Sequence, residues 1–244
     1  MREAQLPGRG IRYVESGGEG SGDGPPVVFL HAGSGSSRMW EHQIPAFTGS
    51  GYRFIAYDRR AQGSAVEDLE ALADHLGLDR FHLVGTAAGG IVAVDYALSF
   101  PQRLRSLVVA NSIVGVQDED YVQLSRGLRP SPQFDALPPE VRELGPSYRA
   151  TNPQGTRRWR ELAQHVKTPP TRNRITFASL ETITTPTLLI TGDADLYTPP
   201  PVLRLFAKRF PHCESVVIPE CGHSAFWEQP EQFNRAVLDF LSKH

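Results

Sequence analysis

Residues 83–92 read LVGTAAGGIV, an apolar run that leads into small residues and then into a second apolar run. The β-branched and apolar residues before Gly85 predict a buried strand, and residues 89–100 have the spacing of a helix. The small side chains on both sides of Ala87 allow the backbone to turn sharply between the two. The stretch therefore predicts a strand, a tight turn and a helix in direct succession.

Apolar runs of this kind recur along the chain and alternate with segments of helical period. Alternation of strands and helices predicts an α/β fold with a mostly parallel sheet that is covered by helices on both faces. The predicted strands are 25–33, 52–58, 80–85, 104–111, 186–193 and 214–220, and the predicted helices are 65–78, 89–100, 200–210 and 230–243.

The segment 112–180 breaks the alternation, because it is polar, rich in proline and contains only short helical pieces. We expect it to form a cap over the sheet, inserted into a core domain of residues 1–111 and 181–244. Arg and Lys outnumber Asp and Glu in this segment. This excess is explained by a solvated surface or, alternatively, by an anionic substrate.

Composition excludes several classes of function. The 244 residues include 25 Lys and Arg against 27 Asp and Glu, a net charge of −2 that favours neither nucleic acid nor an anionic membrane as a partner. No apolar run approaches the roughly 20 residues that span a bilayer, and the first residues lack the apolar core of a secretory signal, which predicts a cytoplasmic location. Cys213 and Cys221 lack metal-site spacing, so neither a disulfide framework nor a zinc site is expected. A homodimer is left open.

The turn at 85–89 has the frame of a nucleophile elbow, G-x-S-x-G, with Ala87 where the serine would stand. Two other segments support this interpretation. The sequence HAGSGSSRMW (31–40) follows a predicted strand and offers backbone N–H groups of the kind that form an oxyanion hole, although a tight turn would also need small residues there.

The other segment supplies an acid and a histidine. LLITGDADLYTPP (188–200) places Asp193 and Asp195 just after a strand, and His223 follows the last predicted strand in a glycine turn. Each residue alone is explained as well by a structural role. The chain order of turn, acid and histidine matches the order of a catalytic triad on this sheet topology, and the combination is more specific than its parts.

On these motifs the chain resembles the α/β-hydrolase superfamily, and in particular the branch of 3-oxoadipate enol-lactonases and hydrolases of aromatic meta-cleavage products. The resemblance runs from VVFLHAG through YDRR, HLVGTAAGG and LLITGDADLYTPP to GHSAFWEQPEQF. It implies an eight-stranded sheet with a helical cap, a small-molecule carbonyl substrate such as an ester or lactone, and neither a metal nor an organic cofactor.

The resemblance also implies roles for individual residues. His223 falls on the general base, Asp195 on the acid, and Ala87 on the nucleophile. Gly33 and Ala88 fall on the two backbone donors of the oxyanion hole. Ser34 and Trp159 are further candidates for substrate contact, although Trp159, like the other cap aromatics, fits a packing role as well. We expect a cavity between the carboxyl edge of the sheet and the 112–180 segment.

Ala87 has two explanations. Either a serine at this position was replaced by alanine, as in a variant made to trap a substrate, or alanine is the native residue. In the second case His223 serves as the base of a cofactor-free lyase or oxygenase, or the protein binds a small molecule without turnover.

A second departure lies at YDRRAQGSAVEDL (57–69), where Ala61 replaces the usual first glycine of D-x-R-G-x-G and the helix begins almost at once. Either this connection is short, or a longer loop is missing from the sequence.

Overall fold

The computed structural model describes residues 1–6, 8–17, 24–128, 131, 133–167 and 170–244. Within these residues eight strands form one sheet in the order β1-β2-β4-β3-β5-β6-β7-β8. The strands are β1 (Arg2–Leu6), β2 (Arg9–Ser16), β3 (Pro26–Leu30), β4 (Arg53–Tyr57), β5 (Phe81–Thr86), β6 (Leu104–Ala110), β7 (Thr187–Gly192) and β8 (Cys213–Ile218).

The central strands are parallel and buried, and the first two are antiparallel. β3 pairs with β4 and β5, and β5, β6, β7 and β8 pair in succession, all in parallel register. β1 and β2 form an antiparallel hairpin that joins the sheet through β4. The carboxyl ends of β3, β5, β6 and β7 therefore meet at one edge, which is where ligands bind in sheets of this type.

Helices cover both faces of the sheet, and each face has its own apolar core. The helices are α1 (Gln43–Gly49), α2 (Ala65–His75), α3 (Ala88–Ser99), α4 (Glu119–Gly127), α5 (Pro139–Glu143), α6 (Pro146–Thr151), α7 (Pro153–Leu162), α8 (Phe177–Leu180), α9 (Pro200–Ala207), α10 (Ala225–Glu228) and α11 (Pro230–Leu241).

The predicted α/β fold with its mostly parallel sheet is confirmed, and each of the six predicted strands overlaps an observed one, although β5 ends one residue later and β8 begins one residue earlier than predicted. Sequence analysis placed no boundaries on β1 and β2. In β1 only Ala4 and Leu6 are buried, so its apolar signal is weak because the strand lies at an edge and exposes its other residues. The predicted helix over 200–210 ends earlier, at Ala207.

The 112–180 segment lies between β6 and β7 and carries α4 to α8. Residues 129–130, 132 and 168–169 of this segment are outside the described residues. Residues 164–166 run beside the loop after β3, because Gln164 N–H donates to Ser34 O at 3.2 Å and Val166 N–H donates to Gly33 O at 2.7 Å. The division into a core domain and a cap stays a prediction.

The connection between β4 and α2 is short in this chain and consists of residues 58–64. Gly63 has a φ of 84°, a conformation that glycine adopts without strain. The Ser64 hydroxyl then caps α2 by accepting from Glu67 N–H at 3.3 Å. In the described part of the chain, no helix has both the length and the apolar character needed to cross a bilayer.

Candidate active site

The ring of His223 contacts the carboxylate of Asp195. His223 follows β8 and Asp195 follows β7, so neighbouring strands bring the two residues together at the carboxyl edge of the sheet. The Nδ1 atom of His223 lies 2.9 Å from each carboxylate oxygen of Asp195. Both residues are buried, with exposures of 7% and 2%. The acid and the histidine that the sequence singled out are therefore in contact, and Nδ1 donates its hydrogen to the carboxylate.

Four further donors surround the Asp195 carboxylate, two to each oxygen. They are the backbone N–H groups of Tyr197 and Thr198 at 2.8 and 2.9 Å, the Asn111 amide at 3.0 Å and the Thr191 hydroxyl at 3.1 Å. Burial alone would raise the pKa of this carboxyl, but the charge of His223 and these hydrogen bonds outweigh it and lower the pKa to about 2. Asp195 is therefore ionised at neutral pH.

The environment of His223 favours its charged form. Burial lowers the pKa of the ring, but the Asp195 carboxylate, with smaller contributions from Glu143 and Glu228, raises it to about 9. The backbone N–H of His223 donates to Glu143 O at 2.8 Å, and the Tyr197 ring packs on the imidazole with centroids 4.4 Å apart. These carboxylates therefore favour a proton on both ring nitrogens, and in that form Nε2 is a donor.

The structure distinguishes Asp195 from Asp193. Asp193 is exposed and accepts the backbone N–H of Cys221 at 3.1 Å. It therefore holds the loop that leads to His223, whereas Asp195 contacts the ring itself.

Ala87 forms the apex of the turn between β5 and α3. Its φ of 49° and ψ of −114° lie in a region that alanine rarely adopts, and such a conformation costs about 1–3 kcal/mol. The Ala87 N–H donates to Ala110 O at 2.9 Å, and its carbonyl oxygen accepts from the Ser112 hydroxyl at 2.7 Å and from two N–H groups in the first turn of α3. The turn has the strained backbone of an elbow although its side chain is only a methyl group.

Two glycines allow the turn to pack against the neighbouring strand. A Cβ atom at Gly85 would overlap the carbonyl oxygen of Gly89, and a Cβ atom at Gly89 would overlap the carbonyl oxygen of Leu30. Any side chain at these two positions would push α3 away from β3 and β5. The glycines of the opening motif are thus explained by close packing of a helix on a sheet.

A cavity of about 550 Å³ lies over this turn. Its walls come from the carboxyl edge of the sheet and from the 112–180 segment, as expected. A Cβ atom built on Gly33 would lie 3.6 Å from the Ala88 Cβ, so these two residues face each other. Every predicted site residue except Asp195, which lies behind the histidine ring, lines the cavity: Gly33, Ser34, Ala87, Ala88, Trp159 and His223.

Trp159 both packs in the apolar core and lines the cavity, the two roles that its sequence context left open. It is fully buried and belongs to the apolar core on one face of the sheet. It also lines the cavity, and its indole Nε1 has no hydrogen-bond partner among the described residues.

Charged side chains from α5 and α7 line the opposite wall of the cavity. Arg160 pairs with Glu140 at 3.4 Å, and Arg142 donates to the Tyr197 hydroxyl at 3.3 Å. Burial raises the pKa of Glu143, and its carboxyl contacts the Ser34 side chain. Acidic and basic groups therefore both lie within reach of a ligand.

Sequence analysis missed three residues that organise the site. Asn111, at the end of β6, donates to Asp195 and also to Gly222 O at 3.2 Å. Glu143 contacts His223 through its backbone. Glu228 accepts from three backbone N–H groups around the histidine loop, those of Gly145, Gly222 and Ser224, at 2.7, 3.0 and 3.1 Å.

Asn111 and Glu143 act across long stretches of chain, and Glu228 joins the nearby histidine loop to the distant Gly145, so no local pattern marks the three residues. Among the described residues, no group of three or more His, Cys, Asp or Glu side chains is arranged to hold a metal ion.

Known proteins share this architecture. A curated relative from Pseudomonas sp, a 2-hydroxy-6-oxononadienedioate/2-hydroxy-6-oxononatrienedioate hydrolase, is 27% identical over 256 residues, which cover 92% of this chain and 90% of the relative. An enol-lactonase from Burkholderia xenovorans LB400 superposes with a TM-score of 0.80 at 21% identity, covering 99% of this chain and 100% of that one. A thermophilic esterase from Thermogutta terrifontis also superposes with a TM-score of 0.80, at 24% identity, covering 100% and 99% of the two chains.

The structural likenesses concern the fold. The family itself is shown by the sequence, because the model of the alpha/beta hydrolase family matches residues 27–236, from β3 into the last helix. This range includes the turn at Ala87, the Asp195 carboxylate and the His223 ring. The chain belongs to the alpha/beta hydrolase family.

Proposed function

We propose that this protein binds a small carbonyl compound, an ester, an enol-lactone or a vinylogous diketone, in the cavity over Ala87, and that His223, held in orientation by Asp195, transfers protons to and from it. The observation that carries the proposal is the shared cavity. The strained turn at Ala87, the facing pair Gly33 and Ala88, and the His223 ring all line one space of about 550 Å³, a volume suited to a small organic molecule.

Gly33 and Ala88 are the proposed donors to the substrate oxygen. Ala88 is the first residue of α3, and the first N–H groups of a helix have no acceptor within the helix. A carbonyl oxygen placed between Ala88 and Gly33 would accept from two backbone N–H groups. Such donors stabilise the negative charge that develops on the oxygen as a carbonyl is attacked or enolised.

Ala87 closes the covalent route. A serine at this position would attack the carbonyl through Oγ, but a methyl group has no lone pair and no proton to give to His223. The remaining binding and oxyanion groups of a triad site typically retain roughly 10³–10⁴-fold catalysis over water. Chemistry in this chain therefore proceeds without an acyl-enzyme.

His223 is the proposed proton carrier. With a pKa of about 9 the ring is an imidazolium at neutral pH, so it enters the reaction as a donor to the substrate oxygen or carbon. Once it has given up that proton, the neutral ring can take one from water or from the substrate. Asp195 keeps Nδ1 protonated in both states and directs Nε2 toward the cavity.

A second candidate function is binding without turnover, which the methyl group at Ala87 favours. The named relatives support the carbonyl substrate class under either candidate, because they are hydrolases of dienedioates, enol-lactones and esters. The cap formed by the 112–180 segment would then determine which of these compounds fits.

The test compares four chains: the protein itself, Ala87→Ser, Ala88→Ser and His223→Gln. Binding and turnover are measured on a panel of esters, enol-lactones and vinylogous diketones, and acyl-enzyme is sought by mass spectrometry. Ala88→Ser is the matched control, because it adds the same hydroxyl to the cavity one residue from the apex.

Turnover by the protein itself that disappears in His223→Gln supports proton transfer by His223. Binding with no turnover supports the second candidate. A burst, an acyl-enzyme and a gain of several orders of magnitude in Ala87→Ser alone would show that the site is built for a serine nucleophile. Turnover that survives unchanged in His223→Gln would refute the proposed mechanism, and the failure of every compound to bind would refute the substrate class.

A further inference from the structure

The cavity over Ala87 contains a carboxylate that has no role in the proposed function. Glu143 is the last residue of α5, is only partly buried, and lines the cavity together with Ala87 and His223. Its backbone oxygen accepts the His223 N–H at 2.8 Å. This backbone contact fixes the end of α5 beside the histidine loop, so the Glu143 side chain begins at a defined place next to the site.

The Glu143 carboxylate has no cation in direct contact, unlike other charged groups of the same wall. Arg160 pairs with Glu140 at 3.4 Å, and Arg142 donates to the Tyr197 hydroxyl at 3.3 Å. In the described part of the chain, Glu143 forms no ion pair within 4 Å. A carboxylate that is partly removed from water and lacks a paired cation is a stronger base than one in solution.

Glu143 and His223 affect each other's ionisation without touching. Burial raises the pKa of the Glu143 carboxyl, and the nearby charge of His223 acts in the opposite direction. Burial lowers the pKa of the ring, and Asp195, followed by Glu143, raises it to about 9. Within the described residues, Asp195 lies 2.9 Å from a ring nitrogen, whereas Glu143 has no carboxylate oxygen within 4 Å of one. The gap between the Glu143 carboxylate and the ring leaves room for part of a substrate.

The groups that line the cavity suit proton transfer at carbon better than acyl transfer. Ala87 offers no nucleophile at the apex of the turn, but His223 is an acid, Glu143 is a base, and Gly33 and Ala88 carry the proposed N–H donors. Two titratable groups in environments that push their pKa values in different ways typically divide the roles of acid and base between them. Removal of a proton beside a carbonyl group needs both roles and no covalent intermediate.

We propose that Glu143 is the catalytic base of this site and that the protein enolises a ketone or ester with a hydrogen on the carbon next to the carbonyl group. The Glu143 carboxylate removes that hydrogen as a proton, and the electron pair of the C–H bond forms the C=C bond of the enol. The carbonyl oxygen takes the proton from His223 Nε2. Reversal of both transfers restores the carbonyl compound, so the cycle consumes no co-reactant. The inference rests on the proposed function, because the compound must bind over Ala87.

The test follows the exchange of hydrogen for deuterium in deuterium oxide by nuclear magnetic resonance. The probes are phenylacetone and ethyl phenylacetate, which both carry acidic hydrogens between a phenyl ring and a carbonyl group. Isothermal calorimetry measures their binding, and exchange without protein gives the background. We expect the original chain to bind a probe and to exchange these hydrogens faster than the background.

Glu143→Gln removes the base and keeps the shape of the side chain. Its amide oxygen can still accept from the Ser34 side chain, with which the carboxyl interacts, and the backbone contact to His223 remains. Probe binding should therefore be retained, whereas exchange should fall by roughly 10²–10⁴-fold, the usual contribution of a general base. Glu161→Gln is the matched control, since Glu161 is an exposed carboxylate of α7 outside the cavity lining, and it should exchange like the original chain.

The pH profile of exchange is a second measurement that a structural role of Glu143 would not affect. Exchange needs an ionised Glu143 and a protonated His223, so the rate should rise through the raised pKa of Glu143 and fall through about pH 9. The rising part should be absent from any residual exchange in Glu143→Gln. Other charged groups face Glu143 and are unchanged in this variant: Asp195, Arg142, Glu140, Arg160 and His165.

The outcomes separate this inference from the proposed function. Exchange that persists in Glu143→Gln, or that falls equally in Glu161→Gln, overturns the role of Glu143 and leaves the proposed function intact. Probe binding without any exchange by the original chain has the same consequence. If neither probe binds, the proposed function fails and the inference fails with it.

His223→Gln tests the acid separately. This variant should also lose exchange, because the carbonyl oxygen no longer receives a proton as the C–H bond breaks. Exchange that is lost in His223→Gln but unchanged in Glu143→Gln would show that His223 acts without this carboxylate, and the inference would be wrong.

Discussion

Replacing Asp195 by asparagine should reverse the ionisation of His223. The carboxylate is the main reason that the pKa of the ring is about 9 rather than near its ordinary value of about 6.5. The difference corresponds to about 3 kcal/mol of stabilisation of the imidazolium, at about 1.4 kcal/mol per pKa unit. Without the carboxylate, burial dominates, and the pKa of His223 should fall below 6.5.

The titration of His223 also makes the free energy of unfolding depend on pH. Because the folded pKa of His223 is higher than the unfolded value, the ion pair contributes its full stabilisation below about pH 6.5 and loses it as the pH rises through about 9. The original chain should therefore lose stability over this window. In Asp195→Asn the free energy of unfolding should not show this decrease, because His223 is already neutral over the same pH range.

Nuclear magnetic resonance of the histidine ring protons reports the titration directly, with the His223 signal assigned by its absence in His223→Gln. Urea unfolding between pH 6 and pH 9 reports the linked stability. Asp193→Asn is the control, since it removes an exposed carboxylate two residues away that does not contact the ring. The reasoning fails if His223 keeps its titration in Asp195→Asn, or if Asp193→Asn shifts it equally.

Three more changes test the architecture of the site. Asn111→Ala should destabilise the fold by about 1–3 kcal/mol in urea unfolding, because it removes a donor from buried Asp195; a loss below 0.5 kcal/mol, on the order of a surface substitution, would contradict this. Gly89→Ala should destabilise strongly because its Cβ would overlap a backbone carbonyl, whereas Gly127→Ala, with no atom within 4 Å of the new Cβ, should be close to neutral. Burial raises the pKa of Glu228 to about 7, so the free energy of unfolding should fall as the pH rises from about 4.5 to 7. Glu228→Gln should remove that pH dependence. If the original chain and Glu228→Gln have the same pH profile, this carboxyl does not titrate in that range.

The sequence by itself determined the elements whose signals are local. The turn at 85–89 combines an apolar strand, small residues and a helical segment within a short stretch, and the structure has all three. Buried parallel strands are apolar along their whole length because both faces are covered, so their positions were predictable. The order of Ala87, Asp195 and His223 along the chain also follows from the sequence, through the resemblance to a family.

Only the tertiary structure decided which groups complete the site. Asn111 reaches Asp195 across 84 positions of sequence, and the Glu143 carbonyl meets the His223 N–H through the packing of α5 on the histidine loop. The pKa of about 9 at His223 arises from carboxylates on different elements, which outweigh the opposite effect of burial, so no spacing in the chain encodes it. Hydrogen bonding and desolvation depend on distances in space, and the fold alone sets those distances.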